Sequence, residues 1–74
     1  MPTIDNPNFQ GPFGNTLLHG AAMSGDTAEA HRLLQAGADP SIRNREGRTA
    51  ADLAAMLGHL EWLEQLTPAL HRRR

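Results

Sequence analysis

Seventy-four residues suffice for one small domain, and a chain of this size buries only about 60% of its unfolded surface, so its core is marginal. The absence of cysteine excludes disulfides and thiolate metal sites, and a formal net charge of −1 argues against a general polyanion binder. No apolar run approaches a membrane span, and "MPTIDNPNFQGP" lacks the positive start and apolar core of a secretory signal, so a soluble, cytoplasmic chain without a membrane partner is expected.

The elements follow in chain order. Residues 1–13 form an arm with no helical or strand periodicity. Thr16 then precedes a short apolar run and can cap its free N–H groups through the hydroxyl. Leu17, Leu18, Ala21 and Ala22 have helical spacing, and their small members permit close helix approach. Gly25 supplies the left-handed conformation that ends a helix. A second helix is predicted from Thr27 to Ala36, with Ala30, Leu33 and Leu34 on one face and Gly37 as its stop. "ADPSIRNREG" is rich in turn formers and leads to Thr49. Helices are predicted again from Ala50 to Leu57 and from Leu60 to Leu66, with Gly58 between them. Pro68 terminates or bends the last helix, and the basic tail 71–74 frays.

The chain also matches itself. A shift of 33 residues aligns Pro7 with Pro40, Gly14 with Gly47, Thr16 with Thr49, Ala21-Ala22-Met23 with Ala54-Ala55-Met56, Gly25 with Gly58, Leu33 with Leu66 and Ala36 with Ala69. Chance would give roughly three identities at ordinary residue frequencies, and these keep one fixed frame. The chain therefore divides into a unit at 14–46 and a second at 47–70.

These units resemble ankyrin repeats. The family pattern opens G-x-T-P-L-H-x-A-A-x-x-G-H and closes L-L-x-x-G-A-D. The first unit reads G-N-T-L-L-H-G-A-A-M-S-G-D and then L-L-Q-A-G-A-D, and the second G-R-T-A-A-D-L-A-A-M-L-G-H-L-E. The resemblance implies an all-α stack of helix–turn–helix units with hairpin-like loops. Leu17 replaces the usual Pro, Gly20 stands where a larger apolar residue is common, and Glu29 and Arg32 occupy positions more often aliphatic. The shifted register also lays Asp5-Asn6-Pro7 over Ala38-Asp39-Pro40 and Phe9 over Ile42. Residues 4–13 are therefore expected to form half of a hairpin finger, with Ile4, Phe9 and Phe13 covering the open end of the first unit. Two repeats are fewer than the three or so a stable stack normally needs, so regular packing, a partner or self-association must help.

In the family the motif Thr and the His three residues later bond each other and nearby backbone, and Thr16 and His19 stand in that relation. Thr49 and Asp52 hold the same positions in the second unit, where negative charge near a helix N-terminus is favourable. Gly25, Gly37 and Gly58 complete the structural set, His59 occupies a motif position after Gly58, and His31 and His71 are surface residues. No histidine pair has metal-ligand spacing on a helix, no Gly-rich phosphate loop is present, and neither Ser24 nor Ser41 has an arguable base. The expectation is a non-enzyme without cofactor or metal.

Arg43, Arg45 and Arg48 cluster on the hairpin, and Arg72, Arg73 and Arg74 end the chain. They could meet phosphates, but eight carboxylates and the lack of tyrosine favour a solvated edge or an acidic protein partner over nucleic acid. By motif position, the family's partner-facing set is Pro12, Phe13, Asn15, Met23 and Ser24 in the first unit, and Arg45, Glu46, Arg48, Met56 and Leu57 in the second. Met23 and Met56 either meet a partner or fill space within the stack. Trp62 has no following repeat to cover it, so it either forms a partly exposed end that promotes homo-oligomers or folds back near Leu70. The function implied is protein–protein binding, as an adaptor, inhibitor or immunity-type partner. The alternatives are a self-associating structural protein and weak nucleic-acid binding through the arginines.

Overall fold

The computed structural model describes residues 6–66, and among them the regular structure is helical. A 3-10 turn at Pro12–Gly14 precedes α1 (Leu17–Ser24), α2 (Thr27–Gln35), α3 (Ala50–Leu57) and α4 (Leu60–Glu64). Pro68, Leu70 and the tail 71–74 lie outside the described residues, as does Ile4. α2 ends one residue before the predicted Ala36, which serves as its cap. α4 stops at Glu64 rather than Leu66 because its last turn tightens: Gln65 N–H donates to the Trp62 carbonyl (3.1 Å) and Leu66 N–H to that of Leu63 (2.9 Å).

The 33-residue period recurs as geometry. Thr16 and Thr49 both sit in extended backbone ahead of α1 and α3, and each side chain accepts the N–H of the residue three positions on. Gly25 (φ 73°) and Gly58 (φ 79°) both close their helices in the left-handed region. Asp26 caps α2 by accepting the Glu29 N–H at 3.0 Å. Gly11 N–H donates to Asn15 O (2.8 Å) as Asn44 N–H donates to Arg48 O (2.9 Å), and Gly14 and Gly47 repeat a second bond in the same register.

The arm is pinned to the finger that follows it. Asn8 donates through Nδ2 to Gly37 O (3.3 Å) and accepts the Asp39 N–H (2.6 Å). Gln10 Nε2 donates to Arg43 O (2.8 Å), its counterpart one period later, and Arg45 N–H donates to Phe13 O (3.0 Å). This pinning corrects one expectation. The arm is held alongside the second finger, and Phe9 and Phe13 stay 67% and 71% exposed instead of sealing the end of the first unit.

α1 packs chiefly on α3 and α2, with α4 closing the second layer behind α3. The core is Leu18, Ala21, Ala22, Ala30, Leu33, Ala38, Ala50, Ala54 and Trp62, with Leu34, Leu53, Leu63 and Leu66 packed against it. Alanine at the α1–α3 seam lets the helix backbones approach closely. Among the described residues Trp62 is the largest fully buried side chain, with no exposed surface, which removes the partly exposed end, one of the two alternatives left open by the sequence. The 33-residue shift lays Trp62 over Glu29. In the first unit that position carries Glu29 in an ion pair with Arg32 at 3.0 Å; in the second it carries the buried indole.

Candidate interaction surface

The structural residues come first, because they position the surface. Thr16 N–H donates to His19 Nδ1 (3.0 Å), which assigns the imidazole proton to Nε2. The Thr16 hydroxyl also lies 2.8 Å from Nδ1, and Nε2 donates to the Arg48 carbonyl at 2.9 Å. One buried ring thus caps α1 and ties the first unit to the loop that enters the second. Asp52 reproduces the local half: Thr49 N–H donates to its Oδ2 at 2.9 Å. That bond holds the Asp52 carboxyl below the ordinary carboxylate range against a smaller upward push from lost hydration, with the Thr49 hydroxyl, Arg43 and Arg48 assisting. Asp39 is lowered likewise by the hydroxyl and then the N–H of Ser41.

Gly25 brings the first unit against the second. A Cβ there would lie 2.9 Å from His59 Nδ1, and His59 Nε2 contacts the Met23 carbonyl at 3.3 Å. His59 therefore bridges the units at the far end of α1 from His19. Gly37 and Gly58 have open space where a side chain would stand, so their positive φ alone requires glycine.

On this frame the residues expected to meet a partner are mostly exposed, with Asn15 and Arg48 half-buried. Met23 and Met56 hold the same repeat position on packed helices and are 46% and 59% exposed, so neither fills the core. Arg48 reaches Met56 Sδ through a terminal nitrogen, and its Nε lies 3.5 Å from Glu46 Oε1, buried and without a hydrogen bond. Asn15, the counterpart of Arg48, accepts from Asn44 Nδ2 at 2.9 Å, and Asn44 Oδ1 in turn accepts the N–H groups of Glu46 and Arg48. The finger tip is therefore built rather than loose. Ser24 and Leu57 are also exposed, but the Ser24 hydroxyl turns back onto the Gly20 and Ala21 carbonyls.

Phe13 adopts φ 62°, ψ 16°, left-handed backbone that costs a non-glycine residue about 1–2 kcal/mol. With Phe9, Pro12, Asn15 and Leu17 it lines a groove of about 460 Å³ at the N-terminal end of the stack. Leu17 and Phe9 were not among the partner-facing residues. The signal for Leu17 was present, since it is a large apolar side chain where the family carries Pro. Trp62 leaves the set of exposed residues altogether. Among the described residues, no group of three or more His, Asp or Glu could hold a metal ion, and no helix is long and apolar enough to cross a membrane.

Residues 13–66 match the family described as ankyrin repeats (many copies). Over 53 residues the chain is 45% identical to ARF GTPase-activating protein GIT1 of Homo sapiens, covering 72% of this chain and 7% of that protein. It is 41% identical over 54 residues to Notch-regulated ankyrin repeat-containing protein A of Danio rerio, covering 73% of this chain and 48% of that protein. The chain thus spans a small part of the first relative and about half of the second. The crystal structure of EF0377, an ankyrin repeat protein, matches with a TM-score of 0.79 at 34% identity, covering 85% of this chain and 34% of that one.

Proposed function

Since this chain belongs to the ankyrin-repeat family, we propose that it is a non-enzymatic module that binds another protein through the finger tips and the exposed side of α1 and α3. Ankyrin repeats generally mediate protein–protein interaction, and the family is typically non-enzymatic. The observation that carries the reading is the pair Met23 and Met56, both exposed at one repeat position of two packed helices, with the Arg48 guanidinium on Met56. Methionine adapts to irregular partner shapes, and arginine is enriched at interface centres. The hydrogen-bonded tip holds the Arg48 backbone in place, and the two methionines stand on helices, which lowers the ordering cost of association. An adaptor, an inhibitor and an immunity-type binder would all use the surface in this way. The cysteine-free composition supports a reducing compartment, the cytoplasm. With Trp62 inside the core, end-to-end self-association has no anchor there.

The test compares capture by the parent chain, by a Met23→Glu/Met56→Glu variant and by a Glu29→Ala/Arg32→Ala variant on the outer helix. All three must have the parent's far-ultraviolet circular dichroism spectrum. A partner held by the parent and the outer-helix variant but lost by the methionine variant supports the surface. Equal capture by all three contradicts it.

A further inference from the structure

The N-terminal groove is lined by Asn6, Phe9, Pro12, Phe13, Asn15 and Leu17 among others, and among the described residues no charged side chain stands in its wall. Phe9, Phe13 and Leu17 are all more than half exposed, so the groove leaves apolar surface uncovered. Beside it stands Arg45, whose backbone N–H donates to the Phe13 carbonyl at 3.0 Å. Among the described residues each other arginine is engaged: Arg32 by Glu29, Arg43 by the Gly47 carbonyl, and Arg48 by Glu46 and Met56. Among the described residues Arg45 alone has a guanidinium with no hydrogen bond or ion pair.

We propose that the groove and Arg45 together form an anchor site for a protein segment carrying a bulky apolar side chain close to a carboxylate. The proposal rests on the surface reading above and names the partner's chemistry at its N-terminal end. The groove volume suits one large apolar side chain, and the walls offer it aromatic and aliphatic contact. A carboxylate flanking that side chain meets the free guanidinium as a charge-assisted, two-bond pair, which a planar fork favours. Charge complementarity selects an acidic segment: Arg45 is unengaged, whereas the nearby Glu46 is already turned to Arg48. Nucleic acid fits less well, because one free cation beside an uncharged apolar groove offers a phosphate backbone no track. A second copy is separated by the test rather than by chemistry, since exposed Leu60 is followed directly by Glu61 at the other end of the stack.

The test is selection of a displayed random 12-residue peptide library on the immobilised full chain, followed by affinity measurement on free peptides. The expected consensus pairs Asp or Glu with Phe, Leu or Trp within a few positions. Leu17→Glu, at an exposed first-turn position, and Arg45→Glu, on the exposed tip, should each weaken the selected peptide at least tenfold while circular dichroism stays unchanged. Replacing the peptide's carboxylate by lysine should restore binding to Arg45→Glu. Peptides without an acidic bias, or indifferent to Arg45→Glu, overturn the anchor site. If they still lose affinity in Met23→Glu/Met56→Glu, the broader surface stands; if they do not, that reading fails too. No enrichment, equal affinity for a single-stranded oligonucleotide, or dilution-dependent mass that Leu17→Glu abolishes would each overturn the proposal.

Discussion

His19 is the residue where capping and inter-unit packing meet, and substitution can separate the two. In His19→Asn the amide oxygen can accept the Thr16 N–H, as Asp52 Oδ2 accepts that of Thr49 at 2.9 Å. The shorter side chain cannot reach the Arg48 carbonyl, so the 2.9 Å bond between units is lost. That carbonyl keeps the Asn44 N–H, also at 2.9 Å, so no acceptor is orphaned and the bond itself contributes about 1 kcal/mol. The missing ring atoms leave a void at a site 1% exposed, which adds about 1–2 kcal/mol. His19→Asn should therefore cost about 2–3 kcal/mol. His19→Ala also forfeits the cap and enlarges the void, for a total of about 3–5 kcal/mol. Urea unfolding followed by far-ultraviolet circular dichroism measures both. With a slope of about 1 kcal/mol/M for so small a chain, the Asn midpoint should fall by about 2–3 M. A fall of less than about 0.5 M would refute the tie between units. Equal losses for Asn and Ala would refute the separate capping contribution.

Trp62→Ala should cost about 3–5 kcal/mol, whereas Trp62→Phe should cost less than half of that, because the indole Nε1 is buried without a hydrogen-bond partner. The emission of this sole tryptophan should resist acrylamide in the folded chain, and quenching like that of free indole would place it outside the core. Gly20→Ala, in a helix with open space at the Cβ, should raise stability by about 0.5–1 kcal/mol. Gly25→Ala, at φ 73° and against His59, should lower it by more than about 1 kcal/mol. Thermal midpoints moving in the same direction would contradict that contrast. Asp52 has a folded-state pKa below its unfolded value, so its contribution is complete above the ordinary carboxylate range and is lost as pH falls through the folded value. The stability gap between the parent and Asp52→Asn should therefore shrink as pH falls from about 5 down through the carboxylate range. A gap constant across that window would contradict the assignment.

The caps and helix stops were legible because they are local. Thr16, Thr49, Gly25 and Gly58 encode their own geometry within a few residues, and the 33-residue register also laid Gln10 over Arg43, which the fold brings into contact. For Trp62 the sequence left a partly exposed end and a position folded back near Leu70 both open, and the structure removes the exposed one. An exposed surface at one end of a stack says nothing about which face a helix turns inward. The freedom of Arg45 was not legible at all. Arg43, Arg45 and Arg48 are identical in kind and close in sequence, and only the folded positions of Gly47, Glu46 and Met56 decide which guanidinium is left unengaged. The groove is likewise tertiary, since it depends on left-handed Phe13 and on the pinning of the arm to the second finger.

The most direct measurement is an amide spectrum of the isotopically labelled chain during titration with the peptide chosen from the library. The account predicts that the largest shifts fall on Phe13, Asn15, Leu17, Met23, Arg45, Arg48 and Met56, with the amides of α2 and α4 nearly still. Shifts centred on Glu29, Arg32, Glu61 and Glu64, with the finger tips unmoved, would contradict it and place recognition on the outer helices.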